Sequence, residues 1–517
     1  MPAIVLATLN AKWIHASFGL RCLRANLGEL REHCAILEFD IQNRPTDVAE
    51  RILATEPRIV GLGVYVWNAQ ATAELVAVLK AIAPEVVVVL GGPEVSHETE
   101  AQPMCNAADY VVRGEGDLVF ADLCRKLFRG ERPEPRVIDA APPHFEQLAD
   151  PYAEYDETDI AHRIVYVEAS RGCPFTCEFC LSSLDDGVRK APLESFLQRM
   201  QMLYDRGLQH FKFVDRTFNL DIKTSVAILE FFLHRLRPGL FVHFELIPDR
   251  MPDALKEPIT KFPEGVLQFE VGVQTLDPVV GKAIARRQDN DKVIANLAWL
   301  RENTGVHLHA DLIVGLPGED LATFGRGFDR LWSARPHEIQ VGILKRLRGA
   351  PIARHDETAS MRYAATPPYE VLQTAAMTFV EIQRMKRFAR YWDIVANSGN
   401  WPHTLSLLLA GESAFASFLA FSDAVHTTAR ATHGIAMHKV ASLLFDWLVT
   451  SRGIDRDTVG TALAADYARG RRHDWPELLR PWAKPRQAHR KDDEAQAAAN
   501  EEAGSRTAAR QRRHLAE

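Results

Sequence analysis

Arg171-Gly172-Cys173-Pro174-Phe175-Thr176-Cys177-Glu178-Phe179-Cys180 is the stretch from which the fold is read. Three cysteines spaced C-x3-C-x2-C follow an apolar, strand-like run, so their sulfurs can point at one compact soft-metal centre. Cubane iron–sulfur clusters are held by cysteine thiolates and tuned by hydrogen bonds and burial. No fourth cysteine stands nearby, which leaves one iron of a four-iron cluster open to a substrate or cosubstrate. The competing readings are three buried core thiols, or a zinc site completed by a distant histidine. Zinc sites more often show two C-x2-C halves, or C-x2-C with H-x3-5-H.

Upstream, residues 1 to about 130 alternate apolar runs with amphipathic stretches. Strands are expected at Ala3 to Thr8, Cys34 to Asp40, Arg58 to Tyr65, Val86 to Leu90 and Tyr110 to Arg113. Helical patterns lie between and after them. Such alternation implies a parallel sheet covered on both faces, with ligands taken at the carboxyl ends of its strands. Thr8, Asn68, Gly91-Gly92 and Gly114-Glu115-Gly116 fall in those end loops, where glycine lets backbone approach a bulky group; a tight turn is the equal alternative.

Downstream, a second alternating block runs from 161 to about 350. Its strands include Ile164 to Glu168, His210 to Asp215, Phe241 to Ile247, Leu267 to Thr275, His309 to Gly315 and Gln340 to Lys345. Period-two alternation puts Glu270, Gly272 and Gln274 on one strand face. A carboxylate and an amide pointing into a barrel need polar partners, and ligand contact is expected ahead of the alternative, core packing. Beyond 351 the alternation stops. Pro367-Pro368 is expected to open a long helix to Tyr391, with two more helical stretches at His403 to Ala424 and Ala436 to Ser451.

Bulk properties bound the answer. At 517 residues, 47% apolar and 25% charged, two or three globular domains are expected. A net charge of -7 gives no global pull towards nucleic acid. No apolar run approaches the roughly 20 residues that cross a bilayer, and Met1 to Thr8 does not read as a secretory leader. Seven cysteines, an odd number with three clustered, suit a reducing cytoplasm.

At the cysteine stretch the chain resembles the radical S-adenosylmethionine (radical SAM) enzymes. The resemblance implies that Cys173, Cys177 and Cys180 hold a [4Fe-4S] cluster whose open iron chelates SAM. One electron would then cleave SAM to methionine and a 5'-deoxyadenosyl radical, which abstracts a substrate hydrogen. It further implies SAM contacts at Phe179 beside the adenine, Asp215 near the amino group, Glu270 and Gln274 in the barrel, Arg287 at the carboxylate and Gly315 in the turn under the adenine. For Asp215 a helix cap is the alternative, and for Arg287 a solvated face.

Ahead of it, VVVVLGGPEVS and YVVRGEG resemble the cobalamin-binding domain that precedes the barrel in one class of these enzymes. The implied cobalamin contacts are Thr8, Asn68, Gly91, Gly92 and Glu115. The D-x-H-x-x-G motif is absent, and His15 lacks its flanking Asp and Gly, so His15 is not expected to ligate cobalt. Residues Arg387 to Trp401 resemble a helical C-terminal domain of uncharacterised function. The expected architecture is α/β: a Rossmann-like (flavodoxin-like) sheet at 1–135, a linker at 136–160, a partial (β/α)6 TIM-type barrel at 161–350, a helical domain at 351–484 and a disordered tail at 485–517. The implied function is a cobalamin-dependent radical SAM enzyme, served by a reductant such as flavodoxin or ferredoxin and methylating an unactivated carbon. A radical rearrangement, a ring contraction and a non-catalytic cobalamin or redox sensor are the alternatives. Thiomethylation is less expected, because no second cysteine triplet precedes the first.

Overall fold

A computed structural model of the chain describes residues 2–185, 187–469, 475–483, 510, 511, 513 and 514. The chain divides into two compact units. The first comprises residues 1–216 with the straps 345–353 and 363–370; the second comprises the rest.

In the first unit, β1 (Ile4–Asn10), β2 (Cys34–Asp40), β3 (Ile59–Gly63), β4 (Val87–Gly91), β5 (Tyr110–Gly114) and β6 (Val137–Ala140) form one parallel sheet in the order β2-β1-β3-β4-β5-β6. Its helices are α1 (Phe18–Ala25), α2 (Pro45–Leu53), α3 (Ala69–Ile82), α4 (Pro103–Ala107), α5 (Asp117–Phe128) and α6 (Glu157–His162). All seven residues of β1 are buried, because its alternate side chains enter two different cores. Ile4 and Leu6 pack with Leu20 and Phe120, while Val5, Ala7 and Leu9 pack with Ile52, Leu75 and Val76. This is the flavodoxin-like strand order, and its direction reverses between β1 and β3, where such sheets take ligands. One expectation is corrected: the Pro- and acid-rich stretch 136–160 is not a plain linker. It contributes β6, which pairs with β5 from Val111↔Val137 to Gly114↔Ala140, and then α6.

The barrel strands are β7 (Val165–Val167), β10 (His210–Phe213), β11 (Phe241–Leu246), β12 (Leu267–Gln274), β13 (His307–Val314) and β14 (Glu338–Ile343). A hairpin of β8 (Ser170–Cys173) and β9 (Gly187–Lys190) intervenes after β7, a feature that the apolar pattern does not reveal. β7 and β10 pair parallel in the first unit; β11, β12, β13 and β14 run parallel in the second. Helices α7 (Leu193–Asp205), α8 (Ile222–Leu233), α9 (Asp253–Ile259), α10 (Pro278–Ala283), α11 (Asn290–Asn303) and α12 (Leu321–Ser333) alternate with them, giving the partial barrel.

Past the barrel, Pro367-Pro368 opens no helix. It lies between the two-residue strand β15 (Arg362–Tyr363) and β16 (Val371–Gln373). The helix begins instead at α13 (Phe379–Val395), where Thr378 and Glu381 form a capping box. α14 (Pro402–Leu408), α15 (Ala414–Ala429), α16 (Met437–Asp446) and α17 (Arg456–Arg469) complete the helical region. Most of the tail expected to be disordered lies outside the described residues. The four described ones are helical, and Gln511 is buried with its amide donating to Gln268.

Candidate cluster and cofactor site

The cysteine loop hangs from the β8–β9 hairpin. Gly172 has φ +95°, and a Cβ there would collide with the Gly187 carbonyl oxygen, so only glycine closes the hairpin without strain. Cys177 is buried while Cys173 and Cys180 are half-buried. Burial, with the neighbouring Cys180 and Cys177 thiols, pushes the Cys173 thiol up. Among the described residues no three His, Cys, Asp or Glu side chains stand at single-ion spacing. A four-iron cube spreads its thiolates wider than one ion does. The loop is pinned by Ser183 Oγ donating to the Cys180 carbonyl at 2.6 Å and by the Ile352 amide donating to the Glu178 carbonyl at 2.8 Å.

Two polar side chains, the half-buried Arg171 and the buried Asp215, brace the approach to the loop. Arg171, two residues before Cys173, reaches Glu168 at 2.7 Å, Glu115 at 2.9 Å and Asp117 at 3.0 Å. Burial opposes its charge, but these carboxylates, Glu168 foremost, push its pKa up. Glu115 also accepts from Arg189. Asp215, at the end of β10, accepts from the Ala169 amide at 3.0 Å and the Ser170 hydroxyl at 2.6 Å. Burial raises it to about 7 against those bonds. Asp215 is thus a clamp on the backbone leading into the cysteine loop, and the cap of α8 is Asp221 instead.

A cavity of about 390 Å³ opens where the two motifs meet within the first unit. Its edge is backbone at Gly63, Gly91, Gly92 and Gly116, and its apolar wall includes Leu20 and Phe120. Ser170, Arg171 and Gly172 of the cysteine hairpin line the same space. Added Cβ atoms would lie 2.6 Å from the Val64 carbonyl at Gly92 and 3.1 Å from Val112 at Gly116. Glycine at these two positions lets the backbone of the cavity edge lie close against Val64 and Val112. A bulky flat cofactor tail fits such a slot.

The remaining expected residues separate. Gly91, Gly92 and Glu115 line the cavity, whereas Thr8 and Asn68 are absent from its lining. Asn68 donates to Thr8 Oγ1, the Leu9 carbonyl and the Gly63 carbonyl, each at 3.1 Å, and accepts from the Tyr65 amide at 2.8 Å. These bonds latch the ends of β1 and β3. His15 also stands outside the lining; its Nδ1 lies 2.7 Å from the Tyr166 hydroxyl, and burial with Lys212 lowers it to about 4.

In the second unit, Glu270 stands 3.1 Å from His243, a partner supplied by the protein. Gln274 has φ +69° at a register shift, its amide folded over Gly272. Arg287 is exposed, and it is Arg286 that donates to the Gly272 carbonyl. Gly315 has φ +87°, and its missing side chain makes room for Val371. Phe179 is half-buried in the cysteine loop. His309 and Asp311, which are not among the residues expected above, stand 3.3 Å apart on β13. Burial works against the His309 charge, but Asp311 carries it up to about 9. Their signal was present as His307-x-His309-x-Asp311, a polar period-two run inside an apolar strand.

Residues 167–330 match the radical SAM superfamily, residues 4–124 the B12 binding domain and residues 358–515 a protein family of unknown function, DUF4080. The chain carries a radical SAM domain behind an N-terminal B12-binding domain. A radical SAM domain takes a [4Fe-4S] cluster and SAM, and a B12-binding domain takes cobalamin; the cysteine loop and the glycine-edged cavity suit these groups. An uncharacterized methyltransferase of Pyrococcus horikoshii is 28% identical over 310 residues, 53% of this chain and 64% of that protein. The cobalamin-dependent radical SAM methyltransferase TokK of Streptomyces tokunonensis is 25% identical, over 57% of this chain and 48% of TokK. The radical SAM protein thus spans about half to two thirds of the length of these relatives. Among solved structures, the cobalamin-dependent SAM radical enzyme OxsB with aqua-cobalamin superposes with a TM-score of 0.63 at 12% identity, covering 93% of this chain and 84% of OxsB. The methyltransferase TsrM of Kitasatospora setae, with cobalamin and cluster, gives 0.57 at 16% identity over 74% and 82%. These two likenesses concern the fold. Among the described residues no helix is long and apolar enough to cross a membrane.

Proposed function

We propose that this radical SAM protein is a cobalamin-dependent methyltransferase acting on an unactivated carbon. The observation that carries the reading is the shared cavity: the glycine edge of the first sheet and the cysteine hairpin line one space. When bound, the cluster supplies the electron that cleaves SAM to a carbon-centred radical, and cobalamin supplies the methyl group. The protein supplies orientation and exclusion of water. Cys173, Cys177 and Cys180 are the three ligands the chain offers the cluster. Arg171 fixes the hairpin against Glu115, beside the glycine edge, so the two cofactor sites keep one geometry. Asp215 holds the entry to the loop, and Phe179 provides an apolar face next to Cys180. An external one-electron donor of the flavodoxin or ferredoxin type and the reducing cytoplasm complete the reading.

The test is anaerobic reconstitution with iron, sulfide and hydroxocobalamin, removal of unbound material, and mass spectrometry of SAM products under a strong reductant. Retained cobalamin with formation of 5'-deoxyadenosine supports the reading. Deoxyadenosine without retained cobalamin removes methyl transfer from it. Cluster absorption that survives alanine at all three cysteines overturns the ligand assignment.

A further inference from the structure

The second unit holds a cavity of its own, about 420 Å³, that no catalytic reading uses. It lies at the amino-terminal end of β14, bordered by the ends of α12 and α13 and by α14, with Arg301, Arg335, Arg469, Arg513, Trp332 and Trp392 in its lining. In (β/α) barrels chemistry occupies the carboxyl ends of the strands, so this position is remote from the reacting end.

Its charge is one-sided. Among the described residues the lining contains four arginines and no Asp or Glu, in a protein whose net charge is -7. Arg301 Nε donates to the Arg335 carbonyl at 3.2 Å, and Arg469 Nη2 to the Arg513 carbonyl at 2.8 Å. Among the described residues neither guanidinium is ion-paired, and nor is that of Arg335. Elsewhere the chain behaves differently: Arg24, Arg163 and Arg384 each meet a carboxylate within 3 Å. Burial foremost, and then His307 and Arg301, press the lining His337 down to about 2.

The second observation concerns the indoles. Trp332 and Trp392 meet edge to face, with centroids 5.6 Å apart. Trp392 is 1% exposed, yet its indole N–H has no acceptor among the described residues. Trp392 lines the cavity, and a buried donor without a partner can take an acceptor from a bound ligand. Guanidinium groups grip phosphate oxygens through paired, charge-assisted bonds, and indole faces take flat rings. The volume is that of a small-ligand site.

We propose that this cavity binds a small phosphorylated ligand bearing a flat ring, of the mononucleotide class, and that the C-terminal helical region serves to form it. The inference does not rest on the methyltransferase reading. The test uses the full chain with saturating SAM and hydroxocobalamin, so that those sites are blocked, and AMP, adenosine and inorganic phosphate as probes followed by calorimetry and tryptophan fluorescence. AMP is expected to bind at least about tenfold more tightly than adenosine, with inorganic phosphate competing and rising salt weakening AMP. The double variant Arg301→Ser/Arg335→Ser, both at exposed positions, should lose about tenfold or more in AMP affinity with its melting temperature held. Trp332→Ala should weaken AMP and leave inorganic phosphate unchanged. Adenosine binding as well as AMP, salt-independent AMP binding, or an unaltered double variant would each overturn the proposal, as would the absence of AMP binding at millimolar concentration.

Discussion

At Asp215 a single side chain has two effects of opposite sign. Its oxygens accept from Ala169 and Ser170, and Asp215→Ala leaves a buried amide unpaired, at about 1 to 3 kcal/mol. Its folded pKa, near 7, lies above the ordinary carboxylate value. The native chain therefore binds more protons than the unfolded one between those limits, and this group's contribution to stability declines as pH rises through them. The cost of Asp215→Ala in urea unfolding should accordingly shrink from pH 5.5 to pH 8; a cost that grows instead would show that the carboxylate is ionised in the fold. Arg171 poses the converse problem. Arg171→Met strips the cation from Glu168, Glu115 and Asp117, and breaking such a network costs about 3 to 5 kcal/mol. Burial already raises Glu168. Losing its arginine raises it further, so the variant should be weakest at high pH and recover in part as acid neutralises the carboxylates, which unfolding midpoints across pH will report.

The β8–β9 hairpin is the element that turns a cysteine spacing into a site. Gly172→Ala puts a methyl group against the Gly187 carbonyl at a backbone angle that L residues rarely adopt, a strain of about 1 to 3 kcal/mol. The hairpin is small, so it should open rather than the domain unfold. Iron bound per chain should fall sharply while the melting temperature changes little; full iron loading would show that the loop does not depend on the hairpin. The helix misplaced at Pro367 teaches the same lesson. Proline suits a first turn, but the segment enters a pairing in which the Ala364 amide donates to the Glu370 carbonyl at 2.8 Å. A hairpin pairing outweighs the preference of proline for a first helical turn.

Across the whole molecule, the barrel and the C-terminal helices of the second unit share one core rather than two. Phe328 of α12 stacks edge to face with Phe388 at 5.4 Å and Trp392 at 4.8 Å, and Phe415 of α15 joins them. Removing residues 358–517 would bare that aromatic cluster on the barrel. Exposed apolar patches of this kind drive aggregation. The truncated chain is expected to elute as aggregate or to express insolubly, and a monodisperse truncated barrel would show that the helices are an appendage.

The cysteine triplet, the two strand–helix blocks and their order were legible from residue spacing, because period-two and helical patterns are local and every residue contributes to them. The hydrogen-bond partners were not. Thr8 and Asn68 have partners in each other, Asp215 has its partners in the Ala169 amide and the Ser170 hydroxyl ahead of the loop, and Glu115 has two arginines. A polar residue at a strand end looks the same in sequence whether it faces a ligand or a neighbouring strand. Only the register of strands far apart in the chain brings donors and acceptors within hydrogen-bond reach, and so only the tertiary structure decided which of these side chains remain available to a cofactor.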